Sequence, residues 1–220
     1  MSEHETALTP GQRAEFLGAA TKALVLIADK LGPERALYWA GKGERMQELF
    51  LQELMMSIIQ AHPFNPSEFL GKGWTVWKGP IDDDGLWGEE DIDPRSLTLS
   101  QVEITKFLFE TCLKESEQSI TGEEKLHRLK EKSDLIRFGG NVFLGLWLNY
   151  QANGENSALE DLYRSRGIKF FAFFGLVIRS PSGIRSVLYF HRDDGGRWYW
   201  GCHGLGRDRD AAYLLAGCAS

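Results

Sequence analysis

"IKFFAFFGLVIRSPSGIRSVLYFHRDDGGRWYWGCHG" runs from Ile168 to Gly204. Phe170, Ala172, Phe174, Leu176 and Ile178 alternate with Phe171, Phe173, Gly175 and Val177. An extended chain is therefore apolar on both faces here, as in a central strand covered on both sides. Ser180-Pro181-Ser182-Gly183 has turn chemistry, with Pro at the second position and a Gly that accepts positive φ. A second strand is expected over Ile184–Arg192. Asp194-Gly195 is a hairpin signal, and Arg197–His203 returns as a third strand. The expected C-terminal part is thus a three-stranded antiparallel meander, and the fold class is α+β.

Closing the hairpin with the two residues Asp194 and Gly195 sets a register. His191 then faces Trp198 and Val187 faces Cys202 on one side, while Phe190 faces Tyr199 and Ser186 faces His203 on the other. His191 and His203 do not converge in that register. Arg192 stands opposite Arg197, a destabilising like-charge pair that calls for an acidic neighbour. Cys202 and His203 resemble a nucleophile and its base, but adjacent strand residues point to opposite faces. Cys202 is therefore read as a small buried hydrophobe.

Upstream, residues 9–61 read as helical. Thr9-Pro10-Gly11-Gln12 is a start signal, and Leu17, Thr21, Leu24, Ala28 and Leu31 recur at three- and four-residue spacing. Gly32-Pro33 stops that helix and starts a short second one over Glu34–Ala40. A third is expected over Glu44–Ala61, apolar on a face broad enough to meet a partner chain. His62-Pro63-Phe64-Asn65-Pro66-Ser67 breaks it. The division is therefore a helical unit at 1–64, a candidate for self-association, and an α+β domain at 65–220. Within the second unit a short strand is expected at Trp74–Trp77. Residues 101–117 stay open: Ser100-Gln101-Val102-Glu103 suits a capping box before a helix and Phe107–Cys112 suits a buried strand, with strand favoured from Ile104 on. Helices are expected over Glu123–Lys132, Asn141–Gln151 and Ser157–Arg166.

Gly73–Pro94 holds seven carboxylates and three tryptophans. Trp74, Trp77 and Trp87 can pin a loop by burying ~200 Å² each. The carboxylates then stay in water or reach the C-terminal arginines. An EF-hand alignment that puts Asp82 and Asp84 at the third and fifth positions and Asp91 at the twelfth leaves Pro80 at the first, where no ligand exists. Asp82, Asp84, Glu89, Glu90 and Asp91 therefore form a candidate acidic recognition loop, with neither a metal nor a catalytic residue assigned. A divalent-metal-dependent enzyme is the alternative that this loop keeps open.

The charge is uneven. Residues 1–64 carry net −2, residues 65–135 net −7 and residues 136–220 net +3. Arg185, Arg192 and Arg197 interleave with Tyr189, Trp198, Tyr199 and Trp200, a pattern that suits stacked bases and phosphates. Against single-stranded nucleic acid stands the acidic composition, with a pI of about 5.5. No phosphate loop, GxSxG, HExxH or CxxC occurs. No cofactor is expected. The longest apolar run, nine residues, is about half of a membrane span. Met1–Thr6 lacks a secretory pattern, and three cysteines are an odd number, so the expected setting is cytoplasmic. The expected function is non-catalytic binding, with a protein partner.

The stretches Trp77–Leu97 (WKGP…DG…GEEDIDPRSL), Phe109–Lys130 (FETCLKE…SITGEEKL…RLK) and Val177–Tyr189 resemble uncharacterised hypothetical proteins of uncultivated small-genome bacteria. No activity is assigned to those proteins, so the resemblance implies no site residue. It supports treating residues 68–220 as one module.

Overall fold

The computed structural model of the chain describes residues 9–31, 33–45, 58–79 and 91–220. The chain is α+β, a helical unit followed by a mixed-sheet domain, and it divides into Met1–Glu53 and Leu54–Ser220. In the first unit, α1 spans Pro10–Leu31 and α2 spans Pro33–Ala40. The expected capping box starts α1: Gln12 N donates to the Thr9 hydroxyl at 3.3 Å, and Thr9 N donates to Gln12 Oε1 at 2.9 Å. Most of the expected third helix lies outside the described residues. Its last turn is corrected, because Ile58–Gln60 is a strand, β1. Two isoleucines there find an antiparallel partner in β3 (Gln101–Glu103), and pairing wins over helical periodicity.

The second unit is built on the stretch quoted above. Strand β7 spans Phe170–Arg179, β8 Arg185–Arg192 and β9 Trp198–Gly204, pairing as an antiparallel meander. The chain then continues through β10 (Asp208–Asp210) to β11 (Leu214–Ala219), which lies parallel to β7. With β4 (Leu108–Glu110) outside β11, the sheet order is β4-β11-β7-β8-β9. Strands β2 (Thr75–Val76) and β6 (Leu135–Arg137) add to β7 and β11, and β5 (Ser119–Thr121) pairs with β10. Residues 104–106 correct the expected strand: they form a 3-10 turn between β3 and β4, with Phe107 N bonded to Ile104 O. The two strands on either side pair with different partners, so the backbone must turn between them.

Two short helices, α3 (Pro66–Phe69) and α4 (Pro94–Leu97), are capped by Asn65 and Asp93. The longer ones are α5 (Gly122–Lys130), α6 (Gly140–Asn153) and α7 (Ala158–Arg166). Thr121 and Ser157 cap α5 and α7 through Glu124 N and Glu160 N. Helices cover both faces of the sheet. Phe143, Leu146, Leu159 and Leu162 of α6 and α7 pack on Phe171, Phe173, Leu188 and Phe190. On the other face, Leu126 and Leu129 of α5 pack with Trp77, Ala172, Phe174, Val177 and Val187. The double-sided apolar pattern of β7 has this cause.

Strand β7 changes phase midway, with a register shift between Phe173 and Ile178. Gly175 sits in it so close to β6 that a Cβ there would lie 2.0 Å from Arg137 O. Beyond the bulge, β7 accepts a new neighbour: Asp93 N donates to Gly175 O, and Val177 N donates to Asp91 O. The last residues of the acidic stretch are thereby laid along the central strand.

Candidate functional site

The meander places the candidate binding residues on both faces of the sheet. The register pairs His191 with Tyr199, Val187 with His203 and Arg192 with Trp198, one residue off the expected one. The loop between β8 and β9 has three residues, not two. Asp193 N bonds to Arg197 O, Gly196 takes φ +83°, and Asp193 Oδ1 accepts from Arg197 N at 2.8 Å. A one-residue slip moves every side chain of β9 to the opposite face. The expected conflict between Arg192 and Arg197 is thereby removed. His191 and His203 share a face, also contrary to expectation. Among the described residues, no group of three or more His, Cys, Asp or Glu could hold a metal ion.

Each arginine of the candidate set has a partner. Arg185 is buried over the Trp77 ring, bonds Asp91 Oδ2 at 2.7 Å and Glu123 Oε1 at 2.9 Å, and so joins the acidic segment to the meander. Burial by itself lowers its pKa, and the two carboxylates more than offset that. Arg192 pairs with Glu160 of α7 at 3.0 Å and lies over Tyr163. Arg197, exposed, has Asp193 at 3.9 Å and lies over Tyr199. Of the aromatics, Trp198 is buried and Trp200 packs on Phe69, both on the α6 side. Tyr189 sits on the other side against Phe170 and His203. Tyr199 is the exposed one.

Of the acidic loop, Asp82, Asp84, Glu89 and Glu90, together with Trp87, lie outside the described residues. Asp91 corrects the expectation of a solvated carboxylate. It is 2% exposed, held by Arg185 and by Lys130 of α5. Asp93 is buried beside it, accepting from Arg95 and from Arg137 N, and its pKa is lowered. Burial works against that lowering, and the hydrogen bonds from Arg95 and Arg137 overcome it. Trp77 is fully buried, as an anchor should be, and Trp74 is partly buried against the core.

The Cys202-His203 pair is split between faces, as expected. Cys202 packs on the α6 side, and burial pushes its thiol up to about 12, so no thiolate forms near neutral pH. His203 lies 4.0 Å from the Tyr189 ring and 5.5 Å from that of Tyr213. Burial, then Arg209 and Arg207, lower its pKa to about 4.

Strand order reveals what side chains alone do not. Strand β9 ends the sheet, and among the described residues no strand lies on its outer side. The bonds Leu205 N to Arg185 O and Asp193 N to Arg197 O bracket the ladder at odd-numbered residues. Odd residues of β9 therefore turn their backbone to β8, and Trp198, Trp200, Cys202 and Gly204 turn theirs outward. The two ends of this row are capped. Trp198 N donates to the Tyr150 hydroxyl at 3.2 Å, and Arg209 Nη2 donates to Gly204 O at 3.3 Å. Between the caps, the amides and carbonyls of Trp200 and Cys202 have no protein partner among the described residues. The strand WYWGCHG has no Lys, Pro or carboxylate, the usual guards of an open edge.

Beside the Gly204 end lies a groove of about 440 Å³, lined by Ser180, Ser182, Cys202, His203, Arg207 and Arg209 among others. Reading the sequence missed Arg207 and Arg209, although "RDRD" at 207–210 is a visible charge alternation. Their relevance depends on which strand ends the sheet. No protein-family model, curated protein or solved structure matches the chain.

Proposed function

We propose that the chain is a non-catalytic binding protein that takes up an extended segment of a partner protein as an added strand beside β9. One observation carries this reading: a capped, uncharged edge whose Trp200 and Cys202 backbone groups point outward without partners among the described residues. A partner strand supplies the missing donors and acceptors, and side-chain pockets on either face supply selectivity. The alternative of single-stranded nucleic acid has less to stand on. Arg185 and Arg192 are held by internal carboxylates and Trp198 is buried, leaving Arg197 and Tyr199 exposed.

Hydrogen exchange read amide by amide tests the reading. In the free chain, Trp200 and Cys202 amides exchange fast, while Tyr199, Gly201 and His203 are protected. Adding a saturating β-branched peptide slows the first pair. Protection of Trp200 and Cys202 without any peptide, or fast exchange with it, removes the proposal.

Self-association through the helical unit belongs to the same reading, because Phe16, Leu17, Val25, Leu26, Leu37 and Tyr38 are all more than half exposed. Light scattering over a concentration series checks it, with a constant monomer mass counting against it. No described helix is long and apolar enough to cross a membrane. The three free cysteines suit a reducing compartment, and the cytoplasm is the one we propose.

A further inference from the structure

We infer that the segment received by β9 is acidic at the end lying over Gly204–Arg209. The inference rests on the strand-addition reading and names the partner's chemistry. Backbone hydrogen bonds along so short an edge contribute only about 1 kcal/mol each, net. Selectivity must come from what flanks them.

The two flanks differ. At the Trp198 end the outward amide is satisfied by a neutral hydroxyl, and Arg197 is already beside Asp193. At the Gly204 end a guanidinium stands in line with the edge itself. Arg209 reaches back from β10 to the outward carbonyl of Gly204, with its guanidinium over the Tyr213 ring at 4.8 Å. It donates to the carbonyls of Gly204 and Asp208 and pairs with no carboxylate among the described residues. Arg207 is exposed next to it on the wall of the 440 Å³ groove, where Ser180 and Ser182 place hydroxyls 2.9 Å apart.

The nearby acids have other engagements. Glu123 is bonded to Arg185, and Asp210 Oδ1 accepts from Ala212 N at 3.0 Å. Asp208 and Asp210 alternate with the two arginines, so residues 207–210 sum to zero charge, and what the edge itself meets is the Arg209 guanidinium at Gly204 O. A strand laid along β9 therefore ends against cationic donors backed by an aromatic ring and hydroxyls. An Asp or Glu side chain fits that place, because a carboxylate accepts from an arginine fork with two oxygens. His203 lines the same groove, and after burial it is Arg209 and Arg207 that lower its pKa, the sign of a field that favours anions.

The experiment uses the full chain and a fluorescent peptide of about eight residues, alternating Val and Thr, the span of β9 at about 3.4 Å per residue. Versions carry two Glu, two Lys or two Gln at one end, and a further Glu version is N-methylated on alternate amides. Anisotropy at low salt should rank Glu about tenfold over Gln, with Lys weakest, and the ranking should collapse in 1 M salt. Arg207→Glu, a change at an exposed side chain, should invert the order of Glu and Lys. Equal binding of all three peptides, with N-methylation still abolishing it, overturns the acidic end and leaves strand addition intact. Indifference to N-methylation overturns strand addition itself. Tighter binding of a mixed-sequence oligonucleotide than of the Glu peptide overturns both in favour of a nucleic-acid partner.

Discussion

His203 is a charge-capable, half-buried ring packed among other rings, with Phe170 at 5.8 Å and Tyr213 and Tyr189 closer. Its pKa falls from 6.5 to about 4 on folding, mainly through burial. Between those values the unfolded chain binds the proton and the folded chain does not. Stability from this residue is complete above pH 6.5 and is lost as pH drops toward 4. The melting temperature should fall across that window, and His203→Phe should flatten the fall relative to the parent chain. Unchanged slopes in the variant refute this assignment. Lys125 makes the same kind of case at the alkaline end. It is fully buried, its ammonium bonded to Tyr213 O at 2.7 Å and Asp210 O at 3.1 Å, and burial lowers its pKa to about 8. From about pH 8 to 10.5 the unfolded chain holds the proton longer, so stability rises with pH there. Lys125→Met should abolish that rise in urea titrations run at pH 7.5 and 9.5. Asp91 is of a different kind. Removing it leaves Arg185 buried with half its charge partners, so Asp91→Ala should cost about 3–5 kcal/mol in chemical denaturation. A loss below 1 kcal/mol means that water reaches the site.

Elements were legible where the signal was local. The helices that start at Thr121 and Ser157 are each capped by a side chain within the same segment, so sequence alone located them. Residues 101–110 resisted because β3 and β4 pair with β1 and β11, far away in sequence, and nothing local specifies either partner. The β8–β9 hairpin failed by one residue for a definable reason. Asp-Asp-Gly-Gly offers glycine at two consecutive positions, which serve different turns. A two-residue turn at Asp194-Gly195 needs positive φ at Gly195, whereas the three-residue loop needs it at Gly196, and φ +83° is found there. The difference is measurable. Gly196→Ala should destabilise by about 1–2 kcal/mol, the penalty of a side chain in the left-handed region. Gly195→Ala should be nearly neutral, its Cβ meeting the carboxylate of Asp193, with Oδ1 nearest at 3.3 Å. The reverse order of costs restores the two-residue turn, and with it the facing arginines. The candidate site depended on this same choice, since register decides which backbone groups of β9 face outward.

At the scale of the molecule, opposite charges from the acidic middle and the basic end meet at one named arginine of the three. Arg185 reaches Asp91 and Glu123, whereas Arg192 and Arg197 are served by Glu160 and Asp193 of their own C-terminal block. Packing has a sharper division. α2 buries no side chain, whereas both apolar clusters begin with residues from Ile59 onward. A helix as short as α2 is marginal without a packed face. Cooperative unfolding is therefore a property of Leu54–Ser220, which holds both apolar clusters. A chain beginning at residue 54 should keep the melting temperature and steepness of the full chain, while losing helical ellipticity in proportion to the residues removed. For a domain of this size about 1 kcal/mol moves the midpoint by about 2–4 °C. A drop of more than about 5 °C would mean that residues before 54 take part in the same cooperative transition.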